Sequence, residues 1–420
     1  MNEKYWHSVR LEKDNCTGCT NCLKHCPTQA IRIQQGKAKI LKERCIDCGE
    51  CIRVCPHHAK KAVTDRFDEL KKYKYNIALV APAFYGQFSK AENCSIIQTA
   101  LKEIGFDDVY DVAKGAQEIS KKTKEFLEGG ELTKPAISSA CPAVCRLIAV
   151  RFPNLIPNII PLRSPMELSA EAARRDAVKL TGLSESEIGI FFISPCAAKA
   201  TAIKDDRIVK ISNVDGVISI KDTYLKLAQN IGVVDNIEEV SKVGSRGVLW
   251  ANSGGEAKAS GASRCVAVDG IHNVIKLLDD IEDDKLMDIE YVEALACPGG
   301  CVGGPLTAEN SFVARARIDR MCKEMPCESG GIDSDIERMW DVAPVYRPVM
   351  KLDEDINVAM QMAIQIDDFE ETLPGLDCGA CGAPSCRAFA EDVVRGHANE
   401  TDCIFTMREL VSKLTNKDEE

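Results

Sequence analysis

The stretch "IEYVEALACPGGCVGGP" (residues 289–305) passes from an apolar run into Cys297, a pair of glycines and Cys301. The run has the length and the aromatic and aliphatic content of a buried strand. Three other runs have the same design: "NIALVAP" (76–82), "KPAISSAC" (134–141) and "EIGIFFISPC" (187–196). Longer segments of helical patterning lie between them, such as "CSIIQTALKEIG" (94–105) and "SPMELSAEAARRDAVKL" (164–180). Strands alternating with helices predict βαβ units and parallel sheets. Ligand sites in such sheets gather at the carboxyl ends of the strands. Cys141, Cys196 and Cys297, each at the end of a predicted strand, are therefore expected to converge, with Cys301 as a fourth thiolate. The glycines of "CPGGCVGG" are expected to let the backbone approach a bulky inorganic group.

The chain has 420 residues, 45% hydrophobic and 28% charged, with a net charge of −11. That charge disfavours a nucleic-acid partner, which calls for a basic face. No apolar run approaches the roughly 18–20 residues of a membrane span. The N-terminal residues show no apolar signal-peptide core, so the cytoplasm is the expected location. The anomaly is cysteine, with 21 residues, most of them in tight groups. In a reducing compartment such groups point to metal rather than disulfides.

An internal repeat occupies the first 60 residues. Cys16, Cys19, Cys22 and Cys26-Pro27 recur 29 residues later as Cys45, Cys48, Cys51 and Cys55-Pro56. The spacing C-x2-C-x2-C-x3-C-P is that of two-cluster bacterial ferredoxins, in which the fourth Cys of each run serves the other cluster. One [4Fe–4S] cluster is thus expected on Cys16, Cys19, Cys22 and Cys55, and the second on Cys45, Cys48, Cys51 and Cys26. Zinc knuckles are the competing reading. His57 and His58 are expected to be solvated. At the other end, "LPGLDCGACGAPSCRAFAEDVVRGHANETDC" (373–403) spaces Cys378, Cys381, Cys386 and Cys403 as C-x2-C-x4-C-x16-C. It resembles the small [4Fe–4S] domain of corrinoid iron–sulfur proteins and some membrane redox complexes. Four thiolates alone do not choose iron over zinc. The module reads as a helix with core methionines, a Gly/Cys-rich loop, and a second helix carrying Cys403.

Residues 76–325 resemble the catalytic domain of [FeFe]-hydrogenases. "SSACP" (138–142) resembles its T-S-C-C-P motif, "SPCAAK" (194–199) M-P-C-x-x-K, and "EALACPGGCVGGP" (293–305) E-x-M-x-C-x-x-G-C-x-x-G-G. "VAPAF" (80–84) and "RSPME" (163–167) resemble further family segments. The resemblance implies an H-cluster: a [4Fe–4S] cubane joined through a thiolate to a diiron unit with CO, cyanide and a bridging azadithiolate. It implies that Cys141, Cys196, Cys297 and Cys301 bind the cubane, and that Cys301 bridges to the diiron unit. Lys199 would hydrogen-bond one cyanide, and the backbone around Pro82 and Ala83 would hold the other.

Departures from the family pattern bear on proton transfer. Ala140 stands where active members carry a proton-passing cysteine, Ser194 and Leu295 where they carry methionines, and Ala202 where they carry a glutamate. This pattern is similar to the sensory type without a PAS domain. Cys145 reads as a small core residue, and buried free thiols suffice for Cys94, Cys265, Cys322 and Cys327. Glu118 reads as a solvated helix residue.

The expectation is a three-part protein. A ferredoxin-like α+β domain occupies 1–72, a two-lobed α/β H-cluster domain 76–345, and a small mainly helical [4Fe–4S] domain 355–420. The expected function is H2 activation at low turnover for H2 or redox sensing. Its partners would be H2 and protons, a redox partner such as ferredoxin or a signalling protein, and hydrogenase maturation proteins. The alternatives are a bidirectional or H2-evolving hydrogenase, and a non-catalytic electron-transfer or Fe–S assembly protein lacking the diiron unit.

Overall fold

The computed structural model describes residues 6–415 apart from 92, 206, 230, 233, 235, 236, 238–242 and 329. The chain divides into two compact units. One holds residues 1–8, 46–49 and 62–346, the other residues 9–45, 50–61 and 347–420.

The first unit is α/β with two parallel sheets. Four strands order as Asp108–Asp111, Tyr75–Val80, Ile188–Ser194 and Gly216–Ser219. All their pairings are parallel, with Ile77 opposite both Asp108 and Ile190. The central strands are mostly apolar, as strands buried on both faces are. Ala78, Leu79, Val80 and Ile193 are accordingly fully buried. The second sheet is smaller, with Cys265–Asp269, Tyr291–Leu295 and Ala136–Ile137 in parallel. "KPAISSAC" thus supplies only two ladder residues before turning into the site.

Local chemistry sets the helix ends nearest the site. Ser164 caps Pro165–Thr181 by accepting from the Met166 amide, with Pro165 at the first helical position. Proline suits that position because its missing N–H would have no intrahelical acceptor. Gly182, at φ +72°, closes the same helix in the left-handed region, where only glycine adopts φ without a Cβ clash. Pro142 likewise opens Pro142–Arg151, with Cys141 as the capping residue.

In the second unit the ferredoxin-like repeat and the C-terminal segment share one body. Arg32 pairs with Asp392, Arg44 with Glu391 at 2.6 Å, and the Ile33 amide donates to the Gly382 carbonyl at 2.9 Å. Gly382 sits at φ +86°, and a Cβ there would lie 2.1 Å from the Ile33 oxygen. The C-terminal segment differs from its sequence reading in three ways. Two helices, Cys386–Val394 and Ile404–Thr415, follow the loop rather than one. Cys403 precedes the last helix instead of lying on it. Met360 is 59% exposed, so it is not a core methionine of the helix Ile356–Glu371. Among the described residues no helix is long and apolar enough to cross a membrane.

Candidate functional site

The strand ends of both sheets in the first unit open onto one cavity with about 810 Å³ of empty space, its open mouth included. Cys141, Cys196, Cys297 and Cys301 all line it, together with Lys199, Ala140, Pro82 and Ala83. Their origins differ. Cys196 follows the strand Ile188–Ser194, and Cys297 follows Tyr291–Leu295 two residues on. Cys141 caps a ten-residue helix. Cys301 opens a short 3-10 turn.

The thiols feel one another. Burial pushes Cys196 up to about 12, with Cys297 and Cys141 adding to the rise and Lys199 opposing it. Burial also raises Cys301, reinforced by Cys297, Cys196 and Cys141. Four partly buried cysteines would repel one another as thiolates, which is costly unless a cation binds them. A cluster of iron and sulfide answers that requirement, so the donor set fits a [4Fe–4S] group. Lys199 is held in place, its Nζ donating to the Ser164 hydroxyl at 2.7 Å.

Most of the rest of the wall is apolar, built from side chains such as Met166, Phe192, Trp250 and Leu295. The glycines of the third motif also face close neighbours within the protein itself. A Cβ on Gly300 would lie 2.6 Å from the Ser253 nitrogen, one on Gly303 2.0 Å from the Pro298 oxygen, and one on Gly304 2.2 Å from the Pro195 oxygen. They are required by close approach of protein backbone, which packs three loops around the cavity.

A buried carboxyl lines the same cavity and has no counterpart in the sequence reading. Glu256 is 4% exposed. Its Oε1 accepts from the Ser138 hydroxyl at 2.7 Å and from the Tyr291 hydroxyl at 2.6 Å. Ser138 Oγ in turn accepts from the Ala140 amide at 3.1 Å. Burial and the neighbouring Glu293 raise Glu256 well above the ordinary carboxylate range. Burial raises Glu293 as well, but it accepts the amides of Gly254 and Ala257 at 2.9 and 2.8 Å, which oppose that rise and favour the pair's proton on Glu256. The sequence signal was faint: an acidic residue inside the small-residue run "SGGEAKASG" (253–261).

Other candidates stand apart. Ala202 is buried but does not line the cavity. Cys145 is pushed up to about 12 by burial, and its Sγ lies 3.5 Å from the Ser139 carbonyl. Glu118 is ion-paired with Lys121 at 3.0 Å and Arg338 at 3.4 Å rather than free in solvent. Cys94 is buried, but Cys265 and Cys327 are exposed, contrary to expectation, and Cys322 is intermediate.

In the second unit, Cys16, Cys19, Cys22 and Cys55 line one cavity. Cys378, Cys381, Cys386 and Cys403 line another. Of the remaining set, Cys26, Cys45 and Cys51 belong to the second unit and Cys48 to the first. Amides point at sulfur in the repeat: Ala30 to Cys26 and Ala59 to Cys55, both at 3.2 Å, and Ala38 to Cys16 at 3.4 Å. Such N–H···S contacts stabilise anionic cluster sulfur. His57 and His58 are exposed.

Comparison with known proteins agrees with this layout. The family described as iron only hydrogenase large subunit, C-terminal domain, matches residues 74–261 and 227–305. A 4Fe-4S dicluster domain matches 8–56, and an Fe-S cluster domain matches 373–405. Iron hydrogenase 1 of Clostridium pasteurianum is 22% identical over 55% of this chain and 50% of its own length. The periplasmic [Fe] hydrogenase large subunit of Nitratidesulfovibrio vulgaris is 28% identical over 46% and 50%. The chain thus spans about half the length of these curated relatives. A probable cytosolic Fe-S cluster assembly factor, oxy-4 of Caenorhabditis elegans, is 23% identical over 71% of both chains. Among solved structures, a variant of the [FeFe]-hydrogenase HydA1 from Chlamydomonas reinhardtii aligns over 66% of this chain and 98% of its own. Its TM-score is 0.48, at 18% identity.

Proposed function

The chain belongs to the iron-only hydrogenase large-subunit family, through that subunit's C-terminal domain, and on that premise we propose that it activates H2 at low turnover to report H2 or redox state. One observation carries the reading: four cysteines, an anchored lysine and a buried carboxyl line a single, largely apolar cavity. An H-cluster bound there would supply reversible H2 cleavage into protons and electrons. Cys141, Cys196, Cys297 and Cys301 would hold its cubane, with Cys301 reaching the diiron unit that maturation proteins install. Lys199, oriented by Ser164, offers a charge-assisted hydrogen bond to an anionic ligand such as cyanide. The apolar wall excludes water and strengthens that bond.

Slow turnover follows from the proton side. Ala140 has no side-chain donor or acceptor, and the glutamate position beyond the lysine motif is Ala202. Glu256 is the titratable carboxyl within the cavity wall, and the Ser138 and Tyr291 hydroxyls orient its Oε1. A single carboxyl with a raised proton affinity holds a proton at neutral pH but releases it reluctantly. Electrons would leave through the [4Fe–4S] clusters to ferredoxin or a signalling protein.

The longer alignment with an assembly factor favours one second reading, an iron–sulfur protein without the diiron unit. Infrared spectroscopy after co-expression with the maturation proteins separates the two. CO and cyanide bands with slow H2 evolution from reduced methyl viologen are expected. A protein with full cubane iron and no such bands would be the second kind.

A further inference from the structure

The two halves of the ferredoxin-like repeat align without a gap at an offset of 29 residues, which fixes which positions are equivalent. Cys26, Ala30 and Ile31 correspond, at the 29-residue offset, to Cys55, Ala59 and Lys60. The correspondence holds in space: both alanine amides donate to the cysteine sulfur at 3.2 Å. Ile31 and Lys60 are each 2% exposed. Ile31 packs in the apolar core of the module. Lys60 lines the cavity shared by Cys16, Cys19, Cys22 and Cys55. Its Nζ is buried and meets no hydrogen-bond partner among the described residues.

An ammonium without a partner is among the costliest groups to bury. Its position makes physical sense beside a large anion. Four thiolates around an iron–sulfide core are such an anion, and reduction adds one further negative charge. The ammonium therefore stabilises the reduced cluster more than the oxidised one. We propose that Lys60 is a redox-tuning residue, which raises the reduction potential of the cluster held by Cys16, Cys19, Cys22 and Cys55 above that of its pseudo-symmetric partner, so that an electron entering the dicluster module rests there. This concerns the N-terminal module alone and stands or falls independently of H2 chemistry in the other unit.

The test is a potentiometric titration of the full-length, cluster-loaded protein followed by electron paramagnetic resonance. In Lys60→Met one N-terminal signal is expected to become harder to reduce, its reduced-to-oxidised ratio at fixed potential falling about tenfold, or about 59 mV for a one-electron couple. The signal that moves is expected to be the one altered in Cys19→Ser. Lys60→Arg keeps the charge and is expected to keep the wild-type potential. If Lys60→Met loses the cluster, its retention at the wild-type potential in Lys60→Arg supports the same charge requirement. An unchanged potential in Lys60→Met, a shift confined to another cluster, or equal effects of Met and Arg would overturn the proposal.

Discussion

Two cysteine sets in this molecule solve the same problem by opposite means. The C-terminal set spans 378–403, three of its members within nine residues, and Cys378 is exposed at the surface. The set in the first unit spans 141–301, comes from the ends of strands in two sheets, and faces an apolar cavity. The first is a loop that closes on its metal at small entropic cost. The second exists only when some 160 residues of intervening fold are in place. A local loop can deliver an electron to a partner at the surface. A cavity walled by Trp250, Met166 and Phe192 can keep water from a reactive group, which small-molecule chemistry requires.

The largest expected effect is a test of that contrast. Cys301→Ala is expected to remove the CO and cyanide bands and all H2 turnover, while the N- and C-terminal cluster signals remain. Cys378→Ser is expected to do the reverse: iron falls from about 16 cubane atoms toward about 12, and the infrared bands are untouched. Loss of the bands in Cys378→Ser would show that the two sites are not separable.

Glu256→Gln comes next. It keeps the shape and the hydrogen bonds from Ser138 and Tyr291 but cannot exchange a proton. H2 evolution is expected to fall by roughly 10²–10⁴-fold, with the infrared bands still present. The same variant carries a stability signature. Because the folded protein holds a proton on Glu256 that the unfolded chain releases near pH 4.3, stability declines as pH rises from there through the raised folded value. Thermal denaturation across about pH 5 to 8 is expected to show a shallower decline in Glu256→Gln than in wild type. A parallel decline would assign the proton elsewhere.

Lys199→Ala is expected to weaken retention of the diiron unit or shift the cyanide bands, while the ferredoxin signals persist. Unchanged bands would remove Lys199 from the group's surroundings. The smallest effect is expected from Ala140→Cys. A thiol there adds one titratable station at the cavity wall, so turnover is expected to rise severalfold, short of a standard hydrogenase because Ala202 still interrupts the family's route. Wild-type turnover already at hydrogenase rates would sink the slow-sensor reading.

The third motif shows how a glycine legible in the sequence can have a reason that only packing supplies. Gly300, Gly303 and Gly304 were legible as positions that demand glycine, but the atoms that demand it belong to Ser253, Pro298 and Pro195. Sequence periodicity cannot name a neighbour such as Pro195, which reaches Gly304 from about a hundred residues away. Exposed Cys265 and Cys327 make the same point from the other side. Absence of a partner motif says nothing about burial, which packing decides.

By itself the sequence determined the alternation of buried strands and helices, the strand-end cysteines and the two local cluster spacings. Each depends on short-range geometry: side-chain period, turn chemistry and loop length. Only the tertiary structure decided that the C-terminal segment shares a body with the ferredoxin-like repeat, that Glu256 lies in the wall of the cavity, and that the buried Lys60 Nζ meets no hydrogen-bond partner among the described residues. A glutamate or lysine reads as solvated in any single sequence, because its charge favours water. What reverses that preference is an environment assembled from distant segments, and its energy depends on three-dimensional separation and local dielectric rather than on position along the chain.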